Sequence, residues 1–170
     1  EIYVFDTKAA SIGEGLLVLE AARLKKEGKS IEETLEWLEK NYLKVHSWVT
    51  VDDLKYLERG GRISKASATL GSLLSVKPII TVDKEGRLTN VDKVRGRNKS
   101  IQTIVNETVK TIVAPLDQIV YVAYAGDERC QALSLRTNDR QSHRLWLYRD
   151  FFDGNQSIKA VTHSVKMPRI

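Results

Sequence analysis

An alternation of β-branched and bulky residues from Val45 to Val51 runs straight into a short apolar helix, and that helix stops at Arg59-Gly60-Gly61-Arg62. Val45, Ser47, Val49 and Val51 alternate with His46, Trp48 and Thr50, which predicts a strand. The following helix carries Leu54 and Leu57. Gly60 and Gly61 end it, because glycine reaches positive φ without a steric penalty. A strand, a helix and a glycine stop in so short a stretch commit the chain to a mixture of α and β elements. Arg59 and Arg62 flank the glycines with forked, permanently charged guanidinium groups. Such a turn suits an anion or the acidic patch of a partner. Gly71-Ser72 and Lys77-Pro78 follow closely, so the block is dense in anion-friendly groups.

The remaining elements read outward from this block. Ile2-Tyr3-Val4-Phe5 predicts a strand closed by Asp6-Thr7. Ser11 is placed as a helix N-cap, with Glu14 completing a capping box, and Gly28 closes that helix. Ser30 and Glu33 repeat the arrangement for a second helix, whose buried face is predicted at Ile31, Leu35, Leu38 and Tyr42. A small-residue helix is expected over 64–74. Pro78 precedes a strand over 79–82, Asp83-Lys84-Glu85-Gly86 turns the chain, and a second strand covers 87–94. Arg95-Gly96-Arg97 leads into a long helix with a stripe of Ile101, Ile104, Val105, Val109 and Ile112, ended by Pro115. Residues 119–125 predict one more strand.

With 42% apolar residues in 170, a core is within reach. No apolar run approaches the roughly 20 residues that span a bilayer, and no leader-like segment is visible. Cys130 is the single cysteine, so no intrachain disulfide forms, which mildly favours a reducing compartment. A cytoplasmic location is therefore expected. The chain opens without Met, directly on an expected strand, which reads as a fragment. Residues 1–128 balance nineteen Lys/Arg against nineteen Asp/Glu, whereas 129–170 hold eight Lys/Arg and three Asp, the whole net charge of +5. The pI near 9.3 is thus no argument for nucleic-acid binding by the main body. Beyond Asp127 no period of 2 or 3.6 is sustained, and no elements are assigned.

Few groups are arranged for catalysis. His46, His143 and His163 are far apart, and neither Ser11 nor Ser72 sits in a nucleophile elbow. Asp52-Asp53 is either a metal pair or, more simply, a helix cap with a first-turn acid. No metal-ligand, phosphate-loop or dinucleotide motif occurs, so no cofactor is expected and the chain is not expected to be an enzyme. Ser11 has two readings. It either caps its helix or, with the free amides of that helix end, holds a carboxylate or phosphate. Lys93, Arg95, Arg97 and Lys99 set positive charge at a helix start, against the macrodipole. That misfit marks either a working surface or a solvated charge run. An alternative function is a nucleic-acid-binding module using Arg59, Arg62, Arg95, Arg97 and the basic tail, with affinity falling steeply in salt.

Taken together, the chain resembles the DegV family of bacterial fatty-acid-binding proteins. The resemblance rests on Phe5-Asp6-Thr7-Lys8-Ala9-Ala10-Ser11-Ile12-Gly13-Glu14-Gly15, on 51–63, on Leu70-Gly71-Ser72-Leu73-Leu74-Ser75-Val76-Lys77-Pro78-Ile79, on Lys93-Val94-Arg95-Gly96-Arg97 and on Ala123-Tyr124-Ala125-Gly126-Asp127. It covers 1–128. It implies a two-domain α/β architecture: 1–43 as the end of an incomplete first domain (a strand and a helical hairpin), and 44–128 as a second α+β domain with a sheet and flanking helices. Residues 129–170 then form an atypical basic tail, read as frameshifted or divergent. The resemblance implies a lipid carrier with a long-chain fatty acid in a tunnel between domains, its carboxylate held by hydroxyls and backbone amides. Ser11 falls on the family serine and becomes a carboxylate ligand; Gly13, Arg62, Gly71 and Ser72 fall at the headgroup site or domain junction. Some relatives present the carboxylate to a fatty acid kinase, so Arg59, Arg95 and Arg97 become a docking face for such a partner. The family's N-terminal headgroup segment and its glycine-rich histidine segment have no counterpart here, and His163 is not given the histidine's role.

Overall fold

The computed structural model describes residues 1–52, 54–62, 75–111, 119–124, 144–149 and 158–164. The helices are α1 (Ile12–Lys26), α2 (Ile31–Asn41), α3 (Lys55–Arg59) and α4 (Arg97–Thr111); the strands are β1 (Val45–Val51), β2 (Val76–Val82), β3 (Leu88–Arg95), β4 (Ile119–Tyr124), β5 (Arg144–Arg149) and β6 (Ile158–Ser164). The helix expected over 64–74 lies outside the described residues.

The six described strands form one sheet in the order β3-β2-β1-β6-β4-β5. All neighbours are antiparallel except β4 and β5, which run parallel. Pro78 is tolerated inside β2 because the β1 ladder reaches only Ile80 and Thr81, leaving Pro78 paired on the β3 side alone. The sheet is covered on both faces. On one, Ile79, Ile104 and Val120 are buried together, with Trp48, Val94 and Val122 against them, so α4 packs there. On the other, Leu54 joins Val51 and Ile80, with Val49, Leu57 and Leu88 alongside. Ile79 and Ile80 are therefore both core residues, on opposite faces, as the period of 2 requires. The third cluster joins α1 and α2 through Leu17, Leu24, Trp37 and Leu38, with Phe5, Tyr42 and Val45 packed against it.

Several sequence expectations are corrected. Ile2–Phe5 joins no ladder, and Ile2 and Val4 are each 94% exposed. A strand needs a paired neighbour, and among the described residues this segment has none. The segment is anchored instead through Phe5, whose ring meets Tyr42 edge to face at 5.6 Å. In α2, Ile31 is exposed while Trp37, Leu38 and Asn41 are buried. The face rotates because Trp37 offers more apolar area to the α1 interface than Ile31. In α4, Val109 is exposed while Arg97, Ser100, Ile101, Ile104 and Thr108 are buried. The Arg97 ion pair draws that face inward, and Thr108 satisfies its hydroxyl on the Ile104 carbonyl at 2.8 Å. Two stretches beyond residue 128, where no elements were assigned, form β5 and β6. Both α1 and α4 lie against β6, and a strand covered on both faces carries no polar alternation to betray it.

Candidate functional site

Asp6 to Ser11 forms a tight turn before α1. The Lys8 amide donates to the Asp6 carboxylate at 3.0 Å and the Ala9 amide to the Thr7 hydroxyl at 3.3 Å. Lys8 Nζ pairs with the same Asp6 carboxylate at 2.5 Å. That contact lowers the Asp6 pKa and raises that of Lys8. Lys8 and Ser11 have φ of 50° and 55°, values that cost non-glycine residues energy and cluster at working sites.

This backbone overturns the capping box expected at Ser11. With φ at 55° and ψ at −130°, the Ser11 side chain makes no cap hydrogen bond. Its carbonyl accepts from the Gly15 amide at 3.0 Å, but its hydroxyl is exposed and has no hydrogen-bond partner among the described residues. Gly13 is buried, and its amide is spent on the Ala10 carbonyl at 3.1 Å. The amides of Ile12 and Glu14 have no acceptor among the described residues. One free hydroxyl and two free amides thus meet at the positive end of a four-turn helix, an arrangement matched to a carboxylate.

The Arg-Gly-Gly-Arg turn is built differently from the expected anion cradle. Gly61, at φ 70°, sends its amide to the Glu58 carbonyl, and the Arg62 amide reaches the Leu57 carbonyl, both at 2.8 Å. These two bonds form a Schellman cap on α3. The amides of Gly61 and Arg62 are therefore consumed by the helix and do not cradle an anion. Arg59 and Arg62 are exposed, with Arg62 also donating to the Gly60 carbonyl.

Arg97 departs from its expected place on a docking face. It is 8% exposed. Its Nη1 donates to the Thr50 hydroxyl at 3.1 Å and the Ser100 hydroxyl at 3.3 Å, and its Nη2 to the Asp52 carboxylate. Lys77 Nζ lies 3.0 Å from the same carboxylate and donates to the Asp52 carbonyl at 3.2 Å. Burial works against ionisation of Asp52, but the bonds from Arg97 and Lys77 outweigh it and hold the carboxyl at about 2. Of the basic helix start that looks unfavourable in sequence, Arg97 is thus neutralised by Asp52, which follows the end of β1. Asp52 is an ion-pair partner, which neither the metal-pair nor the helix-cap reading anticipates, and Asp53 lies outside the described residues. Arg95, two residues before Arg97, is exposed. Gly71 and Ser72 lie outside the described residues.

His46 is half-buried on β1, opposite His163 in the ladder, and burial lowers its pKa. Among the described residues no group of three or more His, Cys, Asp or Glu could hold a metal ion. No helix among them is long and apolar enough to cross a membrane.

The sequence matches the family described as "Uncharacterised protein, DegV family" over residues 1–154. The chain belongs to the DegV family. The match runs past Asp127, where the resemblance was expected to end, and takes in β5. A DegV domain-containing protein of Clostridium perfringens is 46% identical over 125 residues, which are 74% of this chain and 43% of that protein. A solved DegV family protein of Thermus thermophilus, described by its fatty acid binding, is 31% identical with a TM-score of 0.80, over 96% of this chain and 61% of that one. The Fatty Acid Kinase B3 protein of Streptococcus pneumoniae, solved with linoleic acid, has a TM-score of 0.83 over 97% of this chain and 60% of that one; at 24% identity it shows the fold alone. The DegV chain spans somewhat under half the length of the curated relatives it matches.

Proposed function

We propose that this DegV chain is part of a non-catalytic lipid carrier that binds a long-chain fatty acid and holds its carboxylate at the start of α1. Ser11 donates the hydroxyl hydrogen bond, and the Ile12 and Glu14 amides complete the grip. The observation that carries the reading is the Ser11 hydroxyl, exposed and uncommitted at a helix start where the sequence pattern calls for a cap. The fatty acids named for the Thermus thermophilus and Streptococcus pneumoniae proteins support the ligand class. In this reading 1–43 closes a first domain, 44–128 forms most of a second, and the acyl chain runs in the tunnel between them. The tail 129–170 stays atypical in composition while it supplies strands to the sheet. Gly13 supports the site through its turn rather than its amide, and Gly71, Ser72 and Arg62 border the junction.

A fatty acid kinase is the proposed partner, supported by the name of the Streptococcus pneumoniae protein. Arg59, Arg62 and Arg95 offer it three exposed guanidinium groups, while Arg97 serves inside. Native mass spectrometry of the complete gene product containing this chain, purified from a bacterial host, tests the ligand. A bound long-chain fatty acid is expected; a protein that carries none and takes up none when palmitic acid is added overturns the proposal.

A further inference from the structure

The hairpin joining β2 and β3 reaches the turn that presents Ser11. Its tip is rigid. The Asp83 amide bonds the Arg87 carbonyl at 2.9 Å and the Gly86 amide bonds the Asp83 carbonyl at 3.0 Å. The Asp83 carboxylate accepts from the amides of Glu85 and Arg87 at 3.0 and 2.8 Å and from the Thr89 hydroxyl at 3.3 Å. At the tip, Gly86 has φ of 82°, and a Cβ built there lies 3.2 Å from the Lys8 Cα, 3.4 Å from its carbonyl oxygen and 3.5 Å from its carbonyl carbon. The neighbour is backbone, which cannot swing aside as a side chain can. Lys8 also feels the charge of Glu85. Lys8 is one of the two strained residues of the turn, and Ser11 is the other. Only Ala9 and Ala10 separate them, and both are held, the Ala9 amide by the Thr7 hydroxyl and the Ala10 carbonyl by the Gly13 amide, so a push on Lys8 is passed along the turn.

We infer that Gly86 is a positioning residue for the carboxylate site: by lacking a side chain, the hairpin tip seats against the Lys8 backbone and holds the turn in the conformation that leaves the Ser11 hydroxyl free. This rests on the carboxylate reading of Ser11. Gly28 is the matched control, because its φ of 84° equals the strain at Gly86 while nothing lies within 4 Å of its Cβ position. A variant at Gly28 carries the backbone cost alone. A variant at Gly86 carries that cost and the collision.

The test titrates the complete gene product containing this chain with palmitic acid and with methyl palmitate, which has the same chain and no carboxylate. Gly86→Ala and Ser11→Ala should each weaken palmitic acid about fivefold, the effect of one hydrogen bond. Each should weaken the ester less than the acid, because a neutral ester carbonyl accepts a weaker hydrogen bond than a carboxylate, and the double variant should lose no more than one single variant. Gly28→Ala should leave both ligands unchanged. Gly86→Asn, in which the residue tolerates positive φ but still bears a Cβ, should repeat the Gly86→Ala result and serves if that variant does not fold. The inference is overturned if Gly86 variants bind palmitic acid normally while Ser11→Ala does not, if they weaken acid and ester alike, or if Gly28→Ala matches them. If Ser11→Ala itself fails to separate acid from ester, the carboxylate reading falls, and the inference with it.

Discussion

Two helices in this molecule begin with the same four-residue pattern and end up with opposite chemistry. Ser30-Ile31-Glu32-Glu33 closes a complete capping box: the Ser30 hydroxyl accepts from the Glu33 amide at 3.2 Å, and the Glu33 carboxylate accepts from the Ser30 amide at 2.8 Å. Ser11-Ile12-Gly13-Glu14 closes nothing, because φ at Ser11 is 55° instead of the extended value of −69° with ψ 169° found at Ser30. One serine spends its hydroxyl on its own helix, and the other leaves it without a cap bond. A capping pattern therefore states what a helix start can do, and the backbone leading into it decides what it does. The start of α4 is a third case, with no side chain of its own as a cap and with Asp52 brought in from the end of β1.

The comparison can be broken at several strengths. The two helices share one core, so Leu24→Ala, at a fully buried position, should cost about 2–5 kcal/mol in chemical denaturation. If it melted only α1 and left the circular dichroism of α2 intact, the shared core would be wrong. Asp52→Asn strands the buried Arg97 charge and should cost about 1–3 kcal/mol. The same variant tests the pH dependence. The folded Asp52 carboxyl sits at about 2 against an ordinary 3.8. Its stabilisation is therefore complete above its ordinary value and drains as pH falls toward about 2, and Asp52→Asn should flatten that acid limb. Glu33 is likewise held below its ordinary value, first by the Ser30 amide hydrogen bond, so it acts in the same direction. Ser30→Ala should cost about 1 kcal/mol. The smallest effect on stability belongs to Ser11→Ala, near zero, since no intramolecular bond is lost.

How much of this was legible in the sequence follows the range of the forces involved. The strand at 45–51, the capping box at Ser30, the glycine stop after α3 and the hairpin turn at Asp83 are decided by neighbours in the chain, and the sequence predicts them with nearly the observed bounds. Gly28 ends α1 as expected, with the Lys29 amide reaching the Leu24 carbonyl at 3.1 Å. What was not legible depends on distant partners. Arg97 looks exposed until Asp52 and Thr50 are folded against it. β6 has no readable period because helices cover both its faces. The missing ladder at Ile2–Phe5 and the positive φ at Ser11 depend on what surrounds the turn, including the hairpin tip at Gly86. At the candidate site, the sequence pattern is enough to propose Ser11, but not to foresee the backbone that leaves its hydroxyl without a cap bond.

The most direct test sets the two serines side by side. Ser11→Ala and Ser30→Ala are titrated with palmitic acid and unfolded in parallel, each in the complete gene product containing this chain. Ser11→Ala should lose about fivefold in affinity at unchanged stability, whereas Ser30→Ala should lose about 1 kcal/mol of stability at unchanged affinity. Normal palmitic acid binding by Ser11→Ala, or equal losses of affinity in both variants, would contradict the claim that this fold frees one serine hydroxyl to hold a carboxylate.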